Sequence, residues 1–98
     1  MKDLTKAEEQ VMMYLWERRE AFVKDLLEDF SEPKPAYNTV STIVRILESK
    51  GFVAYRSQGK AHLYYPLVSK EAYMKHAAGG LLKTYFNGSL SGFVSFFS

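Results

Sequence analysis

Residues 37–51 read YNTVSTIVRILESKG, and this stretch decides the fold. Val40, Ile43, Val44 and Leu47 recur within it at the i, i+3, i+4, i+7 spacing of one buried helix face. A lysine followed by Gly51 then forms a typical helix end. The pattern therefore predicts a helix over residues 37–50.

The other faces of this helix carry an unusual set of side chains: Asn38, Thr39, Ser41, Thr42 and Arg45. Asn, Ser and Thr each cost a few tenths of a kcal/mol in a helix interior, so helix stability does not explain them. In the DNA major groove, however, Asn pairs with adenine, Arg pairs with guanine, and the Thr methyl contacts thymine. We therefore predict that these five residues read DNA bases.

Two shorter amphipathic helices are expected before this segment. Thr5 and Glu8 have the spacing of a capping box, which predicts a helix that runs to about Arg18. A second helix is predicted over residues 23–30, and the prolines within residues 31–35 must end it.

A hairpin and a further helix are expected after it. Two β-prone runs, residues 52–56 and 61–66, flank a glycine-containing turn at 57–60. Ser69 offers an N-cap for a helix that is weakened at Gly79-Gly80 and resumes to residue 86. Helix, short helix, longer helix and hairpin is the order of a winged helix-turn-helix, in which the third helix enters the major groove.

Charge is unevenly distributed along the 98 residues, although the net charge is only +2. Residues 1–32 carry five Lys/Arg against nine Asp/Glu, whereas residues 33–65 carry five against one. A basic segment that contains a helix and a hairpin is typical of a nucleic-acid surface. Six side chains are expected near DNA phosphates, where they would give salt-dependent affinity: Lys34, Tyr37, Lys50, Arg56, Lys60 and His62.

Several classes of function find no support in the composition. The chain has no cysteine, and His62 and His76 are too few for a metal site, so neither a cofactor nor a metal is expected. It also lacks a Gly-rich phosphate loop and a clustered acid/base pair, so an enzyme is not expected. No apolar run reaches the length of a signal peptide or a membrane span. We expect a soluble, cytoplasmic protein without membrane insertion.

Five motifs, in order, carry a family resemblance: LTKAE at 4–8, VM at 11–12 with LWE at 15–17, YNTVSTI at 37–43, KGFV at 50–53 and YYPLVS at 64–69. Together they resemble the penicillinase-repressor (BlaI/MecI/CopY) family over nearly the whole chain. The resemblance implies a mainly α protein with a small β-hairpin, in which a winged helix-turn-helix at 1–68 precedes C-terminal dimerisation helices at 69–98. It implies a homodimer that represses genes by binding double-stranded DNA at an inverted-repeat operator.

The resemblance also assigns the dimer interface to the last helices. The residues expected in this interface are Tyr73, Ala77, Leu81, Leu82, Tyr85, Phe86, Phe93 and Phe97. In the family, repression ends through proteolysis by a membrane sensor protease or through a metal. Copper sensing is not expected here, because the cysteine cluster of the copper-responsive branch is missing.

Three positions depart from the family pattern. Phe22 stands where a small hydroxyl residue usually caps the second helix, and Ile46 stands where an arginine is common. The approximate counterpart of the Asn-Phe bond cleaved in the β-lactam branch is Phe96-Phe97, and family members usually continue with one more charged helix. One alternative stays open from the sequence: a winged-helix module that binds another protein and has no affinity for DNA.

Overall fold

The structure is a computed structural model that describes the backbone of residues 1–86 and the side chains of residues 1–80. Within residues 1–86 the elements are α1 (Lys6–Arg18), α2 (Val23–Asp29), α3 (Tyr37–Ser49), β1 (Val53–Gln58), β2 (Ala61–Pro66) and α4 (Lys70–Phe86). This order confirms the predicted helical fold with one antiparallel hairpin.

The predicted capping box begins α1. The Glu8 backbone N–H donates to Thr5 Oγ1 at 3.2 Å, and the Thr5 N–H donates to Glu8 Oε1 at 3.0 Å. At the other end, Arg19 adopts a φ of 73°, a left-handed value that usually requires glycine. Helix α1 therefore has a well-matched start and a strained end.

Phe22, which has no hydroxyl, is the N-cap of α2. The Asp25 carboxylate accepts a hydrogen bond from the Phe22 N–H at 2.9 Å, which supplies half of a capping box. The helix ends before Phe30, one residue earlier than predicted.

Helix α3 ends in a Schellman motif. The Phe52 N–H donates to the Leu47 carbonyl at 2.9 Å, and the Gly51 N–H donates to the Glu48 carbonyl at 3.0 Å. Gly51 has a φ of 82°, so the glycine predicted to terminate this helix does so. A Schellman motif usually includes an apolar contact between the two residues at the positions of Leu47 and Phe52. Both side chains are buried here.

The hairpin is longer than predicted. Ser57 and Gln58 pair with His62 and Ala61, so β1 includes two residues that the sequence assigned to the turn. The turn consists of Gly59-Lys60, with Gly59 at a φ of 63°. Glycine at the first position of a two-residue turn is what a type II′ hairpin requires.

The core of residues 2–69 lies where α1, α2 and α3 meet the hairpin. Its fully buried side chains are Val11, Met12, Leu15, Leu26, Val40, Val44, Leu47, Phe52 and Val53. An antiparallel bridge between Ala21 and Tyr64 ties the α1–α2 connection to β2, with both hydrogen bonds at 2.9 Å. The bridge and the core fix the hairpin beside α3.

Helix α4 belongs to a second compact unit of the chain. It continues through Gly79-Gly80, so the predicted weakening does not appear in the backbone. Added Cβ atoms would meet nothing within 4 Å at either glycine. Within residues 1–86, no helix has both the length and the apolar character needed to cross a membrane.

Candidate nucleic-acid interface

The exposed surface of α3 divides into two strips. Successive residues of a helix turn by about 100°, so residues three or four apart lie on the same side. The polar strip consists of Tyr37, Asn38, Ser41, Arg45 and Glu48, and these residues line a cleft beside the hairpin.

The second strip lies on the flank of α3 away from this cleft. It contains Thr39, Thr42 and Ile46, all exposed and none of them among the residues that line the cleft. Of the five predicted base-reading residues, the structure thus groups Asn38 and Arg45 with Ser41 and sets the two threonines apart.

The cleft has a volume of about 610 Å³. Its other walls come from the start of α2 and from the hairpin: Phe22, Val23, Lys24, Tyr55, Lys60, Ala61, His62 and Tyr64. Lys24, Arg45 and Lys60 bring three positive charges to it, against the single carboxylate of Glu48. The cleft between α3 and the hairpin is therefore net positive.

Tyr64 forms part of the floor of the cleft. The residue is 5% exposed, and its hydroxyl lies 3.5 Å from His62 Nδ1. Burial raises the pKa of the Tyr64 phenol, and the Glu48 carboxylate raises it further while Arg45 opposes the rise. The phenol is therefore a neutral hydrogen-bonding group at the base of the cleft.

Stacked rings stiffen the hairpin where it faces α3. The rings of Tyr55 and His62 are nearly parallel, at 9°, with centroids 3.9 Å apart. The ring centroids of Tyr55 and Tyr64 are 5.6 Å apart. His62 is exposed and lines the cleft, as a phosphate-contacting residue would need to be.

Arg56 and Lys60 are the two exposed cations of the hairpin. The Arg56 guanidinium forms an ion pair with Glu20, and both side chains remain about half exposed. It also lies 5.7 Å from the centroid of the Tyr65 ring. Exposed pairs of this kind contribute at most about 1 kcal/mol, so a phosphate could compete for Arg56.

Lys50 has a different environment from the one that the sequence predicted. Its Nζ lies 2.6 Å from Glu8 Oε1 and 3.1 Å from the Asp3 carbonyl oxygen. The Glu8 side chain is only 7% exposed, and that of Lys50 is 22% exposed. The Lys50 charge is thus used to join the end of α3 to the start of α1.

This ion pair determines the protonation of Glu8. Burial by itself raises the pKa of Glu8, but hydrogen bonds from Lys50 and the Thr5 backbone, together with the charge of Lys50, lower it overall. The carboxylate is therefore ionised inside the fold at neutral pH.

Lys34 also serves the fold. Its Nζ lies 2.7 Å from the Phe30 carbonyl oxygen and 3.0 Å from that of Glu28. A cation at this place satisfies free carbonyl groups at the end of α2 and complements the helix dipole. The predicted phosphate contact by Lys34 competes with this capping role.

The predicted dimer interface is only partly within the described residues. Tyr73 is 6% exposed, with the His76 ring centroid 6.3 Å away, and Ala77 is exposed. The backbone of Leu81, Leu82, Tyr85 and Phe86 lies in α4. Phe93, Phe97 and the Phe96-Phe97 bond lie outside the described residues. The assignment of these residues to an interface stays a prediction.

Several residues of this surface were not found from the sequence. Glu48 and Lys24 were assigned no role from the sequence, yet both line the cleft. Ile46 looked like a simple departure from a family pattern, yet it is 40% exposed on α3. Helical spacing carried a signal for Glu48, because it follows Ser41 by seven residues and Arg45 by three.

Comparisons with known proteins agree with the geometry. Among the described residues, no cluster of three or more His, Cys, Asp or Glu could hold a metal ion. No curated protein matches the sequence. A solved structure, the solution structure of the DNA-binding domain of the repressor BlaI, matches with a TM-score of 0.63 at 22% identity. The match covers 74% of this chain and 94% of the BlaI domain. The matched part of this chain therefore has the same winged-helix fold as the BlaI domain.

The family comparison covers more of the sequence. The model of the penicillinase repressor family matches residues 4–98. The match thus includes the winged helix, the cleft beside α3 and the C-terminal segment. The chain therefore belongs to the penicillinase repressor family of winged-helix, DNA-binding transcriptional regulators.

Proposed function

We propose that this protein is a sequence-specific repressor that inserts α3 into the DNA major groove while the hairpin follows the phosphate backbone. A single observation carries the proposal: the polar strip of α3 opens into a net-positive cleft shared with the hairpin. A major groove about 12 Å wide admits one α-helix, whose side chains then meet the base edges.

The proposed DNA contacts fall into two groups, residues of α3 that read bases and surrounding residues that contact phosphates. Asn38, Ser41 and Arg45 read bases from the polar strip. Thr39 and Thr42 read bases from the second strip. Tyr37, Arg56, Lys60 and His62 contact phosphates. Lys34 and Lys50 contribute to affinity only indirectly, because their ammonium groups already have partners in the fold.

A selection experiment tests this proposal. Duplexes that bind the full chain are selected from a random library, and affinities for the selected and a scrambled duplex are then measured by fluorescence anisotropy. We expect the selected duplex to bind at least about 1,000-fold more tightly. Both affinities should fall steeply between about 50 and 200 mM salt, because cations are released from the phosphates. Affinities indifferent to sequence and salt would instead favour a protein-binding module.

The proposal includes a homodimer on an inverted repeat. Family membership supports it, and residues 69–98 are where the interface is predicted. Half-sites of a two-fold symmetric dimer should be separated by about 10 base pairs or a multiple. Sedimentation should show a dimer at micromolar concentration. A monomer, together with a selected site lacking two-fold symmetry, would contradict the dimer while leaving DNA reading intact.

Release of the operator by a membrane sensor protease is the remaining part of the proposal, and family membership alone supports it. The chain is incubated with membranes from cells of its source that were grown with or without a β-lactam as inducer. Mass spectrometry then shows whether the chain has been cleaved. We expect cleavage in the C-terminal segment only with the induced membranes. An intact chain in both samples would contradict proteolytic release.

A further inference from the structure

An exposed apolar side chain lies on the surface of α3 that faces away from the core. Ile46 is 40% exposed and lies one helical turn after Thr42. Isolated exposed apolar residues are common on proteins and need no explanation by themselves. Ile46 differs because it directly follows Arg45, on the helix proposed to enter the major groove.

Thr42 adds a second apolar group at the same place. Its Oγ1 donates a hydrogen bond to the Asn38 carbonyl oxygen at 2.8 Å. Because this bond uses the hydroxyl hydrogen within the helix, Thr42 has no proton to donate to a base. Thr42 is exposed, and it offers an outside partner the Cγ2 methyl together with an Oγ1 that can only accept.

The two strips of α3 therefore differ in chemistry. The polar strip, with Asn38, Ser41 and Arg45, lines the cleft and can form hydrogen bonds. The second strip offers the methyl groups of Thr42 and Ile46 beside it. In the major groove, only thymine presents a methyl group, so an apolar strip there distinguishes thymine from the other bases.

We propose that Ile46, together with the Thr42 methyl, is a specificity-determining contact for the C5-methyl of a thymine in the operator. The inference rests on the proposed entry of α3 into the major groove. Ile46 makes the main apolar contact, and the Thr42 methyl, one helical turn earlier, adds to it. The neighbouring Arg45 keeps its hydrogen bonds for an adjacent base or phosphate.

Removing single methyl groups from the DNA tests this contact. In the duplex selected by the full chain, each thymine is replaced in turn by deoxyuridine, which lacks only the C5-methyl. We expect one or two positions per half-site at which the affinity of the wild-type chain falls about fourfold, the change expected for one buried methyl group. Replacement at all other positions should leave the affinity unchanged.

Variants of α3 identify the residues that meet this methyl. Thr42→Val keeps the methyl group and loses the hydroxyl, so it should retain the thymine preference. Thr42→Ser keeps the hydroxyl and loses the methyl, so the thymine preference should shrink. Ile46→Ala should abolish most of it. Met13→Ala removes an apolar side chain of similar exposure, 43%, from α1 and should change nothing.

The outcomes separate this inference from the proposed function. If the selected duplex is preferred but no deoxyuridine position weakens binding, the thymine contact is wrong and the proposed function stands. The contact is also wrong if Ile46→Ala preserves the thymine preference or if the selected half-site lacks thymine. If selection yields no preferred sequence at all, the proposed function fails and the contact fails with it. Urea unfolding of each variant verifies that the fold is retained.

Discussion

At its C-terminal end, α3 is tied to the core and to α1, whereas at its N-terminal end it presents polar side chains. The C-terminal end has the Schellman motif, the buried Phe52 and the ion pair of Lys50 with Glu8. The N-terminal end starts at Ala36, which gives no side-chain cap, and continues with the exposed Tyr37 and Asn38.

This difference shows how one helix can be anchored to the fold at one end and still expose polar side chains at the other. A helix end without a side-chain cap forgoes about 1 kcal/mol of stability, but its polar groups remain accessible. The stability of α3 therefore depends mainly on its buried face and its C-terminal end.

Breaking the ion pair at the C-terminal end should have the largest effect. Lys50→Met leaves the Glu8 carboxylate buried without its cationic partner, which typically costs about 3 kcal/mol or more. The free energy of unfolding, measured with urea, should fall by roughly this amount. Glu20→Gln is the matched control, because it removes the exposed partner of Arg56 and should cost less than about 1 kcal/mol. Equal losses in the two variants would contradict the structural role of Lys50.

At the N-terminal end, Asn38→Ala should impair sequence reading. We expect a loss of about 1–3 kcal/mol in affinity for the selected duplex and a relaxed base preference at one position. Lys60→Ala should instead weaken all sequences alike and reduce the slope of log affinity against log salt by about 1. If Asn38→Ala weakened the selected and scrambled duplexes equally, base reading by Asn38 would be disproved.

The two helix ends with positive φ should respond in opposite directions to substitution. Gly51→Ala forces a Cβ into a φ of 82° and should destabilise by about 1 kcal/mol, although the added atom meets nothing within 4 Å. Arg19→Gly relieves a φ of 73° at the end of α1 and should raise the free energy of unfolding by up to about 1 kcal/mol. Thermal unfolding of both variants checks the signs, and a shift in the same direction would contradict the backbone explanation.

The smallest effect should be a pH dependence due to Glu8. Because folding lowers the pKa of Glu8 below its ordinary value of 4.5, the carboxylate stabilises the fold above that pH. This contribution is lost as the pH falls through the lower pKa of the folded state. Glu8→Gln should therefore show a shallower loss of melting temperature below pH 4.5 than the wild type. Parallel curves for the two proteins would show that Glu8 does not titrate as described.

Local signals in the sequence predicted the parts of the fold that depend on local chemistry. The capping box at Thr5, the apolar stripe of α3 and the terminating Gly51 each act over a few residues, and the structure has all three. The predicted end of β1 was wrong. Cross-strand pairing with His62 and Ala61 overrode the turn preference of Ser57 and Gln58.

The parts that the sequence could not predict depend on distant contacts. The pairing of Lys50 with Glu8 was not foreseen, because the two residues lie 42 positions apart in the chain. The bridge from Ala21 to Tyr64, which seats the hairpin beside α3, likewise leaves no local signal. The exposure of Ile46 depends on how far the core covers α3, which periodicity alone does not fix.

The most direct test of the central claim compares Asn38→Ala with Lys50→Met at a temperature where both variants are folded. The quantity measured is the ratio of affinities for the selected and the scrambled duplex. We expect Asn38→Ala to lower this ratio about tenfold without lowering the free energy of unfolding. Lys50→Met should lower the free energy of unfolding and leave the affinity ratio at the wild-type value. A ratio that falls in Lys50→Met and persists in Asn38→Ala would contradict the assignment of sequence reading to Asn38 and of a structural role to Lys50.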